Sequence, residues 1–272
     1  LAAASGWRIS DVVCTSGPRD RPFEERHETA CIAAVAEGTF QYRSAQGGAV
    51  MTPCAILLGN AGDCFECGHE HGMGDRCLSF HFTPDYLEEI IAAVPGVRRM
   101  GFSAQCLPPL PLTVPLLAAA EAARDQGDGA LLEELGLRLA GAVAMALASA
   151  GRIARAPSRD HRERMTEAVR RIEAHADQRL TLSELAHNAG MSPYHFLRSF
   201  RQVVGITPYQ FVLRIRLHRA AVLLRRTHKP VSAIAFNARF NDLSTFNHRF
   251  RGAMGDNPSI YRTRHRLGLG TQ

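Results

Sequence analysis

Along residues 7–106 the apolar positions come in short runs closed by turn residues. Ala30–Glu37 is a largely apolar run that stops at Gly38. Phe40 and Tyr42 alternate with polar neighbours before a turn at Gly47-Gly48, and Ala55–Leu58 leads into Gly59-Asn60-Ala61-Gly62. Leu78, Phe80 and Phe82 alternate with Cys77, Ser79 and His81, the period-two pattern of a strand with one buried face. Many short strands at this spacing predict a barrel or sandwich. The pattern then lengthens. After a short helix at 85–94 and the prolines Pro108, Pro109 and Pro111, helices are predicted at 114–125 and 129–152. Leu131, Leu132, Leu135, Leu139, Val143 and Leu147 recur mostly at three or four residues. One stripe of this helix is expected to dock on the strands, and a second is available to another subunit. The polar stretch that follows, with Pro157, suits a hinge.

From residue 162 onward the chain reads as helix throughout, at about 162–177, 182–189, 193–204, 208–226, 231–238, 243–254 and 258–264. Thr181 with Glu184 fits a capping box. Gly190 and Gly205 fit helix ends, and Pro193, Pro208 and Pro258 fit first turns. This half also repeats itself. Ser183-x-Leu185-Ala186-x-x-Ala189-x-Met191 matches Ser232-x-Ile234-Ala235-x-x-Ala238-x-Phe240 at an offset of 49. At an offset of 50, Phe196, Phe200, Arg201, Gly205, Pro208 and Phe211 match Phe246, Phe250, Arg251, Gly255, Pro258 and Tyr261. Each unit is helix, short turn, helix, with alanine where two helices approach closely, which is the helix-turn-helix pattern. The nineteen-residue helix that joins the units spans roughly 28 Å at ~1.5 Å per residue. One turn of B-DNA is ~34 Å, so two recognition helices held about that far apart can enter successive major grooves.

Charge divides along the same line. Residues 1–156 hold 12 arginines and 18 acidic residues, whereas residues 157–272 hold 20 basic and 8 acidic ones. A front half of −6 and a back half of +12 point to a polyanion met by the back half only. All seven cysteines (14, 31, 54, 64, 67, 77 and 106) lie in the front half. An odd count does not make a fully paired secreted scaffold, and reduced thiols in a cytosol are expected. LAAASGW has neither a basic flank nor an apolar core, so no signal peptide is expected. The apolar stretch 137–150 contains Arg138 and is too short to span a membrane.

Residues 181–262 resemble the DNA-binding domain of the AraC/XylS transcriptional regulators, through LSELAHNAGMSPYHFLRSFRQVVGITPYQFV and VSAIAFNARFNDLSTFNHRFRGAMGDNPSIYR. The front half resembles that family's cupin-like sensor domain and helical dimerisation segment more loosely. The resemblance implies an α+β multidomain chain. A cupin-like β-barrel would occupy 1–107, a helical dimerisation segment 108–154, a linker 155–161, and an all-α domain with two helix-turn-helix units joined by a long helix 162–266. It also implies a signal-responsive, sequence-specific transcription regulator that is cytoplasmic and homodimeric. Its partners would be double-stranded promoter DNA, RNA polymerase and a small-molecule, metal or oxidant effector. Two positions depart from the family pattern: Arg239 stands where glycine usually precedes Phe240, and Asn257 where Ser or Thr precedes the proline.

In the first unit Ser192 is the expected helix cap, and Phe196, Leu197 and Phe200 the core. Tyr194, His195, Arg198 and Arg201 face outward, with Arg198 as the base reader, suited to guanine O6/N7. In the second unit Asn241 or Asp242 caps the helix. Leu243, Ser244, Thr245 and His248 face outward, and Arg249 and Arg251 are expected at phosphates. The arginines at 214, 216, 219, 225 and 226 read first as a solvated helix face and second as phosphate contacts.

The front half concentrates its polar chemistry in Cys64, Cys67, His69 and His71, and Cys77 and His81, beyond a glycine turn, are expected on a returning strand that could complete the group. In an extended chain Cys67, His69 and His71 share one face and Cys64 the other. Three readings stay open: residues around a pocket for a small organic ligand, a zinc-type metal site, or a thiol redox switch. A non-enzymatic regulator is the leading expectation. The alternatives are a metal-dependent cupin enzyme fused to a DNA-targeting module, and a repair protein with a methyl-accepting cysteine.

Overall fold

The computed structural model describes residues 1–69, 74–94, 96–97, 101–149 and 159–265. Ten strands and ten helices lie within them. The strands are β1 (Ala2–Ala4), β2 (Trp7–Cys14), β3 (Glu24–Arg26), β4 (Ala30–Gly38), β5 (Phe40–Ser44), β6 (Gly47–Met51), β7 (Ile56–Gly59), β8 (Cys64–Gly68), β9 (Asp75–Phe82) and β10 (Cys106–Leu107). They form two antiparallel sheets, one in the order β1-β2-β9-β4-β7-β10 and one in the order β3-β8-β5-β6. The hairpin turn falls at residues 45–46 rather than at Gly47-Gly48. Gly47, at φ +127, already pairs with Ser44.

Strand β9 shows why a second sheet is needed. Leu78, Phe80 and Phe82 point to one side, as expected, into a core shared with Ile9, Ile32 and Ile56. The other face is also covered. Cys77 packs with Cys31, Val35, Phe40, Tyr42 and Met51 in a separate core. The half-buried strand read from alternation is therefore buried on both sides, because small and sulfur-bearing residues fill the second face.

Helix α1 (Pro84–Ala92) starts at Thr83, whose hydroxyl accepts from the Tyr86 amide. Helices α2 (Val114–Gln126) and α3 (Gly129–Ser149) turn back on each other through Gly127 at φ +69. Helix α3 lays Leu132, Leu135, Leu139 and Val143 on the six-stranded sheet. A side chain at Gly136 would lie 3.1 Å from the Phe80 ring, so glycine permits this close approach. The expected helix end at 150–152, residues 155–158 of the expected linker and His71 lie outside the described residues.

The helical half runs α4 (Arg159–His175), α5 (Leu182–Asn188), α6 (Pro193–Val204), α7 (Pro208–Arg226), α8 (Val231–Asn237), α9 (Leu243–Met254) and α10 (Pro258–His265). Helix α4 begins three residues before the predicted start. The other boundaries fall within one or two residues of prediction because their caps are local. Thr181 and Glu184 form the capping box, Ser192 accepts from the His195 amide, and Asp242 rather than Asn241 accepts from Thr245.

Helix α7 is shared by two cores. Phe211 and Ile215 join Met165, Ile172, Leu185, Phe196 and Phe200 in the first unit. Leu217 and Leu224 join Ile234, Phe246, Phe250 and Tyr261 in the second. That second core also contains Val114 and Ala118 of α2 and Cys54, so the front half contributes directly to it.

Candidate nucleic-acid interface

The ten residues expected at DNA, Tyr194, His195, Arg198, Arg201, Leu243, Ser244, Thr245, His248, Arg249 and Arg251, are all exposed. Tyr194 is 77% exposed although it is a large aromatic residue. Helical geometry sorts them further. Positions 194, 198 and 201 form one stripe on α6, and the matching positions 244, 248 and 251 form one on α9. The adjacent stripe differs. Ser199 is buried, and the His195 ring meets the His161 ring edge-on with centroids 5.5 Å apart. On α9, His248 and Arg249 border a groove shared with Pro111, Val114 and Leu213. Leu197, expected in the core, is half-buried, and Ser199 takes a buried place instead.

The family departure at Arg239 is accommodated. Arg239 has φ +62, close to the +63 of Gly190 at the matching position of the first unit, so an arginine adopts a backbone that favours glycine. Its Nε donates to the carbonyl of Asp177, which ties the second unit to the α4–α5 connection.

The arginines of α7 form a solvated face only in part: Arg219 and Arg226 are exposed, Arg214 and Arg216 are half-buried, and Arg225 is enclosed. Arg225 is fully buried: Nη1 donates to the Tyr261 hydroxyl at 3.0 Å, and Nη2 lies 3.4 Å from Asp125 and 3.5 Å from Glu121. His218 Nε2 lies 2.9 Å from both Glu121 oxygens. Arg226 reaches Asp125, Arg216 donates to the carbonyls of Ala176 and Gln178, and Arg219 donates to that of Glu173. Burial raises the Glu121 pKa, but the charges of His218, Arg225 and Arg124 outweigh it and hold the carboxyl below its ordinary range. Burial disfavours the His218 cation, but Glu121 overcomes it and holds the imidazole above its ordinary value.

The sequence carries little trace of this cluster because its acidic and basic members lie about a hundred residues apart. One trace was available: Glu121 and Asp125 are an i,i+4 acidic pair on the alanine-rich α2. A second was in the repeat, where Tyr261 replaces Phe211 and supplies the hydroxyl that Arg225 needs. Elsewhere, Thr39 donates to Glu173 at 2.7 Å and Gln41 to Thr166 at 3.0 Å, joining the β4–β5 corner to α4.

The expected Cys/His cluster is partly assembled. Phe65 and Cys67 point between the sheets and pack on that core, and His69 is buried next to Phe40. Cys64 lies on the opposite face of β8, so the Cys64-x2-Cys67 pair does not converge. Strand β8 belongs to one sheet and β9 to the other, so Cys77 and His81 do not pair with it as a returning strand. His81 pairs with Arg8 and Cys31 at the far end of β9. Two residues not anticipated meet His69 instead. Its Nε2 is 2.6 Å from Asp75 Oδ1, and Cys14 Sγ completes a group of three candidate ligand atoms within 4.8 Å of one another. Cys14 and Asp75 are register partners on β2 and β9, a proximity with no spacing signal in the sequence. The seven cysteines are free. Burial pushes the thiols of Cys31, Cys67 and Cys77 up and that of Cys106 to about 11, which leaves them protonated and poorly nucleophilic.

Comparison with known proteins agrees with this division. Residues 15–140 match the AraC-like ligand binding domain, and residues 185–264 match a helix-turn-helix domain. Over 91 residues the chain is 34% identical to the HTH-type transcriptional activator AarP of Providencia stuartii, covering 34% of this chain and 67% of AarP. Over 91 residues it is 36% identical to the right origin-binding protein of Escherichia coli K12, covering 34% of this chain and 32% of that protein. The chain thus spans about a third of the length of that relative. A longer match, 28% identical over 198 residues, covers 72% of this chain and 70% of the uncharacterized HTH-type transcriptional regulator YbfI of Bacillus subtilis. No helix among the described residues is long and apolar enough to cross a membrane. With a sheet domain of the ligand-binding type in front of two helix-turn-helix units, the chain belongs to the AraC family of transcriptional regulators.

Proposed function

We propose that the protein is a signal-responsive regulator that binds promoter DNA sequence-specifically through both helix-turn-helix units and acts on RNA polymerase in the bacterial cytoplasm. The observation that supports this reading is the pair of matching exposed faces, Tyr194-Arg198-Arg201 and Ser244-His248-Arg251, on the half of the chain with net charge +12. Arg198 reads a base, His248 takes the corresponding place in the second unit, and Arg201 and Arg251 hold phosphates. His195, Leu243, Thr245 and Arg249 lie beside these stripes and make flanking contacts. The front domain, residues 1–107, receives the effector, and 108–154 connects it to the DNA-binding half. Effector binding shifts the balance between arrangements of the two halves through the contacts of α2 and the β4–β5 corner. Leu137 and Met145, exposed on α3, provide a surface for a homodimer.

The test is selection of a preferred site from random duplex DNA, followed by affinity measurement over a salt series. Arg198→Ala should cost about 1–3 kcal/mol and relax preference at one base pair. Arg251→Ala should weaken all sequences alike and reduce the salt slope by about one. Equal losses on every sequence for both variants would refute the base-reading role of Arg198. Sedimentation of wild type against Leu137→Asp tests the dimer surface.

A further inference from the structure

We propose that Cys14, His69 and Asp75 form a binding site for one divalent cation of the zinc class, at the end of the two-sheet domain. The three come from different elements: the last residue of β2, the residue after β8 and the first residue of β9. One sulfur, one ring nitrogen and one carboxylate oxygen lie within 4.8 Å of one another. Ligands at 2.0–2.3 Å around a tetrahedral ion sit roughly 3.3–3.8 Å apart, so a modest opening of the 2.6 Å His69–Asp75 contact admits the ion.

The chemistry of the surroundings fits. His69 and Asp75 side chains are 2% and 7% exposed, which makes a carboxylate and an imidazole costly to hold there alone. A dication bound by one thiolate, one carboxylate and one neutral imidazole has no net charge, so the assembled site is far cheaper to bury. The second Asp75 oxygen accepts from Cys77 Sγ at 3.3 Å, which fixes the orientation of the ligating carboxylate from behind. Cys14 is half-exposed and gives an ion a way in from solvent. Sulfur with nitrogen and oxygen suits zinc, cobalt or nickel over magnesium or calcium, which take oxygen ligands. Three protein ligands leave a fourth position for water or an exchangeable group. The site stands on this geometry alone and does not depend on the DNA-binding reading.

The experiment is titration of the full chain, stripped with chelator and kept reduced under anaerobic conditions, with Co²⁺ alone and then with competing Zn²⁺. The expected result is one equivalent of cobalt with a thiolate-to-cobalt charge-transfer band and the visible bands of a four-coordinate ion, displaced by zinc. Cys14→Ser should abolish the charge-transfer band. His69→Gln and Asp75→Asn should weaken binding by more than the ~10–100-fold that losing a supporting partner costs. Cys64→Ser and His81→Gln should change neither. If Cys14→Ser does not fold, X-ray absorption of the zinc-loaded wild-type protein reads the ligands directly, one sulfur among nitrogen and oxygen being expected. Folded wild type that takes up no cobalt would overturn the site. So would a charge-transfer band that survives Cys14→Ser but is lost in Cys64→Ser, or a zinc shell with two or more sulfurs.

Discussion

Replacing Glu121 by alanine tests whether α2 and the second helix-turn-helix unit form one stable structure. Glu121 faces two cations: His218 at 2.9 Å and Arg225 at 3.5 Å, the latter with no exposed side-chain surface. Removing one member of a buried ionic group costs about 3–5 kcal/mol, because the partners left behind are desolvated and unmatched. Arg225 keeps Asp125 and the Tyr261 hydroxyl, so the expected loss lies at the lower end, about 3 kcal/mol. A chain of this size loses about 2–4 °C in melting temperature per kcal/mol, so calorimetry should read a drop of roughly 6–12 °C. The loss should also depend on pH. His218 has its pKa raised in the folded state by Glu121, against burial and the Arg225 charge, with Glu37 adding a weaker pull in the same direction. Its contribution is complete below the ordinary histidine value near 6.5 and disappears as pH rises through the folded value. The gap between wild type and Glu121→Ala should therefore narrow above neutral pH. A double-mutant cycle with His218→Ala isolates the coupling. A loss under about 0.5 kcal/mol, or a gap that widens with pH, would refute the cluster as a stabilising contact.

Tyr261→Phe removes the hydroxyl that pairs with Arg225 while restoring the residue type of the first unit. It should cost about 1–2 kcal/mol in denaturant unfolding. His27 is held neutral chiefly by burial, with the charge of His81 adding to the effect, and its pKa falls to about 4. Between pH 6.5 and 4 the unfolded chain takes up a proton that the folded one refuses, so stability should decline as pH falls. The decline should be at most roughly 2 kcal/mol by pH 5, reduced by solvent screening, and His27→Gln should flatten it. Arg239→Gly relieves the left-handed backbone but loses the bond to Asp177, whereas Arg239→Ala keeps the strain and loses the bond. Glycine should therefore be the more stable variant by about 1 kcal/mol, and equal urea midpoints would contradict the strain.

Most of the helical half was legible in the chain itself. Caps such as Thr181 with Glu184 and Asp242 act within four residues, and the apolar spacing of α6 and α9 defines their inner faces. The outward stripes, and with them Arg198 and His248, could be placed from the repeat before any packing was known. What the sequence could not supply was the identity of distant partners. Arg225 has the pattern of a surface arginine and becomes buried only because α2 brings Glu121 and Asp125 against it. Cys77 and Ser79 read as the wet face of a strand until a second sheet covers them. Cys14 and Asp75 stand sixty-one residues apart and meet through an antiparallel register, and His69 reaches them from the other sheet. Helix periodicity and capping are short-range and survive in the sequence, whereas charge pairing and ligand assembly are decided by which surfaces the folded chain presses together.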